Sequence, residues 1–390
     1  MIAITAKRLF TPTVCVEQPL LFIESGTVAE LTTRAARPAH TGQLIDFGDC
    51  SLVPGFVDIH IHGGAGYDVM DADPSALSAV EQLIAKHGVT SYLPTTVTAP
   101  LEQTLSALDR LATAIEVAEK THEERRARPM GIHLEGPFIS HARRGVHPPA
   151  SLLQPSLTLF DKFWQAARGR IRVMTIAPEL EGATEVIPEA SRRGVCVSLG
   201  HSDADFSAAQ RGIAAGARHA THTFNAMRPL DHREPGIIGS VLTDNRLSAD
   251  LIADGIHLHP ATIKLLLDAK GPDASVLITD ATAATGMPDG RYRLGSFDVE
   301  VKEGKCTAGG KLAGSVLTMD RAIRNVMQFA GWNQQETLAL ATRNPARVAG
   351  LTGRGTIEAG ARADIVVLTS AGEVRTSIIG GVVSQGVSSS

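Results

Sequence analysis

The chain has 390 residues, a net charge of −4, 43% hydrophobic residues and only 4% aromatic residues. This length exceeds that of one small domain and suits a large α/β barrel with an appendage, whose buried parallel strands would explain the aliphatic composition. Because the sequence contains no long basic or acidic run, nucleic acid and membrane surfaces are excluded as expected partners.

Both ends of the chain consist of short strand-like runs broken by glycine, proline and threonine. The first segment runs from MIAITAKRLF to GDCSLVPG, and the second is GRGTIEAGARADIVVLTSAGEVRTSIIGGVV. Neither end is long enough to bury a core alone. The sequence therefore predicts a small β-sandwich domain made of residues 1–54 and 355–390, with two independent β-rich tails as the alternative.

Between these ends, residues 55–354 alternate strand-like and helical patterns about eight times. The predicted strands are 56–60, 91–95, 130–134, 172–176, 195–199, 219–221, 249–253 and 275–279. The predicted helices include 74–86, 101–119, 156–167, 185–193, 204–215, 261–269 and 320–329. This alternation predicts a (β/α)8 TIM-like barrel, with a doubly wound open sheet as the alternative.

Polar side chains lie at the ends of one predicted barrel strand after another. In chain order they are His60, His62, Glu135, His201, His222, His257 and Asp280. In a barrel all of them would meet at the carboxyl-terminal rim, where barrel enzymes keep their chemistry. Glu135 is therefore interpreted as a ligand that points into a site, and not as a surface residue in a turn.

The residue types at this rim are those of a metal site. His60 and His62 are two residues apart on a strand, so both rings face the same side and could hold one ion. Several imidazoles and one carboxylate suit a divalent transition metal that keeps one position open for water. Asp280, in LITDATAA, is a carboxylate suited to moving a proton to and from that water.

Taken together, these residues resemble the amidohydrolase superfamily. More narrowly, HLEGPF, GHSDA, THTFNAM, REPG, IADGIHLHP, TDA and LAGS are similar to segments of N-acetylglucosamine-6-phosphate deacetylases. The similarity extends from LVPGFVDIHIHG to GTIEAGARADIVVL, which is nearly the whole chain. It implies hydrolysis of N-acetyl-D-glucosamine 6-phosphate to D-glucosamine 6-phosphate and acetate, within amino-sugar metabolism.

The resemblance also implies the metal ligands and the proton shuttle. Glu135 takes the place that a carbamylated lysine holds in many amidohydrolases, and it would bind the metal together with His201 and His222. His60 and His62 match a second, more exposed metal site, so one or two ions per subunit are expected. Zinc is the expected metal, with iron, manganese and cobalt as alternatives. Asp280 matches the catalytic acid/base.

The remaining matches concern the substrate. Arg233 matches a phosphate-binding arginine that reaches across from the neighbouring subunit, which implies a homodimer. His147 matches a histidine that contacts the sugar and helps to polarise the acetyl carbonyl. The other residues that match substrate contacts are His257, Asn225 and Ala226, and the segment Leu312, Ala313 and Gly314 that lines the acetyl pocket.

Two other functions are compatible with the same residues. The first is deacetylation of another amino-sugar phosphate, such as N-acetylgalactosamine 6-phosphate, and the second is a non-catalytic metal-binding scaffold. A cytoplasmic location is expected because the start of the chain lacks the long apolar core of a signal peptide. The four cysteines form no CxxC pair, which suits a reducing compartment.

Overall fold

The computed structural model describes residues 1–11, 13–37, 43–121 and 125–383. The described residues before the barrel form seven strands: β1 Ile2–Thr5, β2 Arg8–Phe10, β3 Cys15–Glu17, β4 Pro19–Glu24, β5 Thr27–Thr33, β6 Gln43–Asp46 and β7 Ser51–Pro54. They are short because turn-forming residues separate them, as the sequence indicates.

Strands and helices then alternate through the middle of the chain. The strands are β8 Phe56–Ile61, β9 Gly63–Gly64, β10 Tyr67–Asp68, β11 Val89–Thr96, β12 Arg128–Pro129, β13 Ile132–Glu135, β14 Ile171–Ile176, β15 Cys196–Leu199, β16 His219–Ala220, β17 Ser248–Ile252 and β18 Ser275–Ile278. The helices are α1 Pro74–Lys86, α2 Leu101–Lys120, α3 Leu157–Ala166, α4 Ala183–Arg192, α5 Phe206–Ala215, α6 Gly236–Thr243 and α7 Pro260–Ala274. Short 3-10 helices cover Val69–Asp71 and Pro149–Ser151.

The remaining elements follow the last barrel strand. They are β19 Gly290–Leu294, β20 Phe297–Lys302, β21 Lys305–Ala308, β22 Lys311–Leu312, α8 Met319–Ala330, α9 Gln334–Ala341, α10 Arg343–Val348, β23 Ile365–Leu368, β24 Val374–Ile379 and β25 Val382–Val383. Among the described residues, no helix is both long enough and apolar enough to cross a lipid bilayer.

Eight parallel strands form the barrel, in the order β8, β11, β13, β14, β15, β16, β17 and β18. The ring closes where the chain beyond β18 returns to β8, through a parallel bridge between Ile61 and Ala281. These strands are buried almost throughout, since helices cover the outside and side chains fill the inside. The (β/α)8 prediction is therefore confirmed, and the open doubly wound sheet is wrong.

Strands from the two ends of the chain share one sheet. Its order is β25-β24-β23-β7-β2-β3, so β7 pairs with β23 across more than three hundred residues of sequence. A second sheet has the order β5-β4-β1-β6. Leu21 and Ile23 of the second sheet lie in the same buried cluster as Leu52 and Ile365 of the first. Residues 384–390 of the predicted terminal segment lie outside the described residues.

Local sequence signals explain the helix boundaries. Asp73 accepts hydrogen bonds from the backbone of Ser75 and Ala76, and Pro74 occupies the first turn of α1, where its missing N–H costs nothing. The predicted helix 101–119 is confirmed as α2, which buries Leu108, Leu111 and other residues of one face. Helix α6 was not predicted, because its sequence GIIGSVLT is apolar all round and lacks a helical period.

The largest addition to the predicted architecture is a four-stranded antiparallel sheet, β19 to β22, inserted between β18 and α8. Its first strand, β19, is formed by the second half of the sequence GMPDGRYRLG. Arg291 and Arg293 on this strand are exposed and Leu294 is buried, so its residues alternate as in a half-buried strand. The insertion packs Leu294 and Val299 beside Val97 and Ala313, next to the barrel rim.

Candidate active site

Glu135, His201, His222 and Asp280 lie at the carboxyl-terminal rim of the barrel, at or just beyond the end of a strand. Glu135 is the last residue of β13, whereas His201, His222 and Asp280 each follow two residues after a strand ends. These last three residues have positive φ angles of 47°, 28° and 50°. L-residues seldom adopt that conformation, and it clusters at functional sites because it turns a side chain into a cavity.

The first cluster, which we call the Glu135 group, consists of Glu135, His201 and His222. His222 Nε2 lies 3.0 Å from Glu135 Oε1 and 3.1 Å from His201 Nε2. His201 Nε2 lies 3.3 Å from the same carboxylate oxygen. All three side chains are almost completely buried.

The second cluster, which we call the His60 group, consists of His60, His62 and Asp280. The two Nε2 atoms lie 3.2 Å apart, and Asp280 Oδ1 lies 3.2 Å from His62 Nε2 and 3.6 Å from His60 Nε2. Glu135 faces both groups, because its Oε1 lies 3.4 Å from His60 Nε2 and its Oε2 lies 3.3 Å from His62 Nε2. A single carboxylate therefore spans the two clusters.

Hydrogen bonds fix the tautomers of three of the four imidazoles. Nδ1 of each of these rings contacts a backbone carbonyl. For His62 the carbonyl is that of Thr95, at 3.0 Å. For His201 it is that of Arg143, at 2.9 Å, and for His222 that of Asn225, at 3.2 Å. A carbonyl oxygen can only accept, so each Nδ1 carries the proton. Nε2 is therefore the nitrogen of each ring that can present a lone pair to a metal ion.

The donor geometry fits a metal ion. Metal–ligand distances of about 2.0–2.1 Å place neighbouring tetrahedral ligands about 3.4 Å apart. The separations of 3.0, 3.1 and 3.3 Å within the Glu135 group are close to that value. Two imidazole lone pairs that face each other repel unless a cation lies between them. The residues present therefore suit a divalent cation at the Glu135 group, with further ligands available from the His60 group.

Electrostatics in the site favour added positive charge. Burial raises the pKa of Glu135, but the nearby histidines outweigh burial and hold it well below its ordinary value. Asp280 is likewise buried, yet His62 and His60 lower its pKa to about 2. Burial lowers the pKa of His222, but Glu135 and Asp280 raise it to about 9. In the absence of a metal, protons thus supply the charge that the two carboxylates attract.

His147 differs from the other histidines of the site. Its Nδ1 accepts a hydrogen bond from the backbone N–H of Thr98 at 3.3 Å and lies 2.8 Å from Thr98 Oγ1, so the proton is on Nε2. Burial and nearby His201 lower its pKa to about 3. His147 is therefore a neutral N–H donor, and its Nε2 lies 3.7 Å from Glu135 Oε2. A side chain at Gly136, whose φ is 71°, would collide with Thr98.

A cavity of about 190 Å³ opens onto both groups. Twelve of the residues singled out in the sequence line it: His62, Glu135, His147, His201, His222, Asn225, Ala226, His257, Asp280, Leu312, Ala313 and Gly314. His60 lies beneath the cavity and is completely buried. Arg233 is exposed and does not line the cavity of its own chain.

Five further residues line the cavity without having been anticipated: Val97, Gly145, Val146, Ile252 and Leu294. Ile252 occupies the end of β17, so its position in the predicted barrel could have indicated it. Gly145 and Val146 directly precede His147 and could have been inferred from it. Leu294 belongs to the inserted sheet, which was not predicted. Among the described residues, no lysine or arginine lines this cavity.

The chain resembles known proteins over most of its length. Residues 51–383 match the amidohydrolase family. The chain is 41% identical over 350 residues to an N-acetylglucosamine-6-phosphate deacetylase of Bos taurus, which covers 86% of this chain and 84% of the relative. It is 40% identical over 321 residues to an N-acetylgalactosamine-6-phosphate deacetylase of Escherichia coli O157:H7, which covers 82% of this chain and 84% of the relative.

One solved structure has nearly the same fold. It is a mutant N-acetyl-D-glucosamine-6-phosphate deacetylase from Mycobacterium smegmatis in complex with N-acetyl-D-glucosamine 6-phosphate. The TM-score is 0.92 at 35% sequence identity, and the match covers 98% of each chain.

Proposed function

The chain belongs to the amidohydrolase family, and on this premise we propose that it hydrolyses N-acetyl-D-glucosamine 6-phosphate to D-glucosamine 6-phosphate and acetate. The observation that carries the proposal is the pairing of Asp280 with a complete set of buried ligands in one cavity. Relatives that match most of the chain and carry this activity in their names support the substrate class.

In this proposal, Glu135, His201 and His222 hold a divalent metal ion, zinc being the expected one. The His60 group offers His60 and His62 for a second ion. A bound ion would acidify a water molecule and polarise the amide carbonyl. These roles are supported by the Nε2 atoms that face the shared carboxylate Glu135, since a metal ion can replace any proton they carry.

Asp280 acts as the general base and then as the general acid. Its low pKa keeps the carboxylate ionised, so it can accept a proton from the attacking water. The water oxygen bonds to the acetyl carbon, the carbon–nitrogen bond breaks, and Asp280 returns the proton to the departing amine. Asp280 lies 3.2 Å from His62 Nε2 and lines the cavity, so it reaches the reacting atoms.

The walls of the cavity orient the substrate. His147 donates from Nε2–H to an oxygen of the sugar or of the acetyl group, since its proton is on that nitrogen. His257 is fixed by a 2.7 Å contact between its Nδ1 and Asp254. We assign the phosphate end to Asn225, Ala226 and His257. The acetyl methyl group faces the segment Leu312, Ala313 and Gly314.

The phosphate needs a cation that the described cavity does not contain. We propose that Arg233 of a second subunit supplies it in a homodimer, because its guanidinium matches phosphate oxygens. Arg233→Ala should raise the KM for the phosphorylated substrate by about tenfold or more, while the unphosphorylated sugar is unaffected. Arg211→Ala, which removes another exposed arginine, serves as the control. An equal effect on both sugars would contradict the assignment.

N-acetylgalactosamine 6-phosphate is the second candidate substrate, because the relative from Escherichia coli O157:H7 carries that name at 40% identity. The deciding experiment compares acetate release from both phosphorylated sugars and from unphosphorylated N-acetylglucosamine, with elemental analysis of the same sample. Release mainly from the glucosamine derivative supports the proposal. Release mainly from its epimer favours the second candidate, and release from neither would refute both.

A further inference from the structure

Asp250 lies beneath the rim of the active site, on strand β17. Its side chain is completely buried, and it does not line the cavity. One carboxylate oxygen, Oδ1, accepts a hydrogen bond from the backbone N–H of His222. The backbone carbonyl of Asp250 accepts a hydrogen bond, at 3.0 Å, from the backbone N–H of Thr223, the residue that follows His222. Asp250 therefore holds the chain on both sides of the His222 peptide unit.

His222 needs such a restraint because its backbone is strained. Its φ angle of 28° is disfavoured for a residue with a Cβ atom. Asp280 adopts a similar conformation, but its N–H donates to a backbone carbonyl, that of His60, at 2.9 Å. At His222 the acceptor of the backbone N–H is the carboxylate of Asp250. A carboxylate forms a stronger hydrogen bond than a backbone carbonyl does.

His219 in turn fixes the orientation of Asp250. Its Nε2 lies 3.0 Å from Asp250 Oδ2, and its Nδ1 lies 2.7 Å from Ser248 Oγ. A carboxylate can only accept, so Nε2 carries the proton. His219 is also completely buried, and its ring cannot turn to water. Hydrogen bonds thus connect Ser248 to His219, His219 to Asp250, and Asp250 to His222, the candidate metal ligand.

We propose that Asp250 is a positioning residue for metal binding: it holds His222 in the conformation that directs Nε2 at the ion, and His219 orients Asp250. The inference rests on the proposed metal site at the Glu135 group. Asp250 acts through His222 alone and touches neither the cavity nor the reacting atoms. Partners of this kind typically change metal affinity by about 10–100-fold when they are mutated.

The test measures the affinity of the purified, metal-stripped protein for Zn²⁺ by competition with a chromophoric chelator. Asp250→Asn presents an amide N–H₂ to the His219 donor and accepts more weakly from His222. We expect Kd to rise by about tenfold or more. Turnover should recover when Zn²⁺ is in large excess. The melting temperature of the metal-free variant is recorded in parallel, because a purely structural role would lower it without changing the Zn²⁺ affinity.

Two variants at His219 give an independent comparison. His219→Gln places an amide nitrogen where Nε2 was and should keep an affinity near that of the wild type, whereas His219→Leu removes the donor and should bind Zn²⁺ more weakly. If Asp250→Asn does not fold, the difference in Zn²⁺ affinity between the two His219 variants tests the proposal instead. Equal Zn²⁺ affinity in all folded variants and the wild type would overturn the inference but leave the proposed function intact. A wild type that binds none of Zn²⁺, Fe²⁺, Mn²⁺ and Co²⁺ would overturn both.

Discussion

The two ligand groups of the active site differ in how firmly they are held. In the Glu135 group, Nδ1 of both His201 and His222 bonds to a backbone carbonyl. In the His60 group only His62 is held in this way, and the buried Nδ1 of His60 has no hydrogen-bond partner among the described residues. On this basis we propose that the Glu135 group holds the ion, whereas the His60 group is less constrained and contributes Asp280, the proposed proton acceptor.

Glu135→Gln should have the largest effect, because Glu135 is the carboxylate that spans both groups. The amide would leave the surrounding imidazoles without their negative partner, so the protein should lose its metal. We expect activity to fall by about 10⁴-fold, the equivalent of about 5.5 kcal/mol. Elemental analysis and acetate release measure the two losses. Retention of a full metal content would show that Glu135 is not a ligand.

Asp280→Asn should separate chemistry from metal binding. The amide is nearly isosteric but cannot accept the proton of water, so activity should fall by about 10³-fold. The Glu135 group is untouched, and its metal content should therefore remain. Metal analysis and single-turnover acetate release give the comparison with Glu135→Gln. A variant that keeps its turnover would point to a metal-binding scaffold or to another proton acceptor.

His62→Asn tests whether the two groups bind metal independently. We expect this variant to keep the ion of the Glu135 group and to lose about tenfold in activity. His201→Asn, the matched change in the other group, should lose that ion. The ratio of metal to protein, measured for both variants and the wild type, is the readout. Equal metal loss in the two variants would mean that the six side chains form one undivided site.

The smallest expected effect is the pH dependence of the metal-free protein. The pKa of His222 rises from 6.5 to about 9 because Glu135 and Asp280 face it, with further contributions from Asp250. A raised pKa stabilises the folded state fully below pH 6.5, and this contribution is lost as the pH rises through about 9. Metal binding releases protons and should therefore strengthen over the same interval.

The measurement is the melting temperature of metal-stripped protein between pH 6.5 and 9.5, together with Zn²⁺ affinity. The melting temperature should fall as the affinity rises. His222→Asn removes the titrating group, so the melting temperature and the Zn²⁺ affinity should both depend less on pH in this variant. A metal-free melting temperature that rises over this interval would contradict the prediction.

Much of the fold could be predicted from local patterns. Each of the eight predicted barrel strands overlaps a strand in the structure, because strands buried on both faces give continuous apolar runs that are easy to recognise. The inserted sheet was not predicted, although FDVEVK of β20 alternates apolar and polar residues; α6 was not predicted because GIIGSVLT carries no helical period. The domain boundaries at residues 54 and 355, the homodimer and the cytoplasmic location remain predictions.

The sequence alone determined which residue types stand at the strand ends. The spacing of His60 and His62, and the positions of Glu135, His201 and Asp280, are properties of the linear chain. Parallel strands bring their carboxyl ends together, so these local positions were sufficient to predict a common site.

The tertiary structure alone decided what each side chain can do. Nδ1 of His201 is fixed by a carbonyl 58 residues away, and Nδ1 of His62 by one 33 residues away. Contacts over such distances assign the ligand nitrogens, make His147 a donor and place Asp250 beneath His222. No local pattern encodes them, because they exist only once barrel closure brings separate strands and loops within hydrogen-bonding distance.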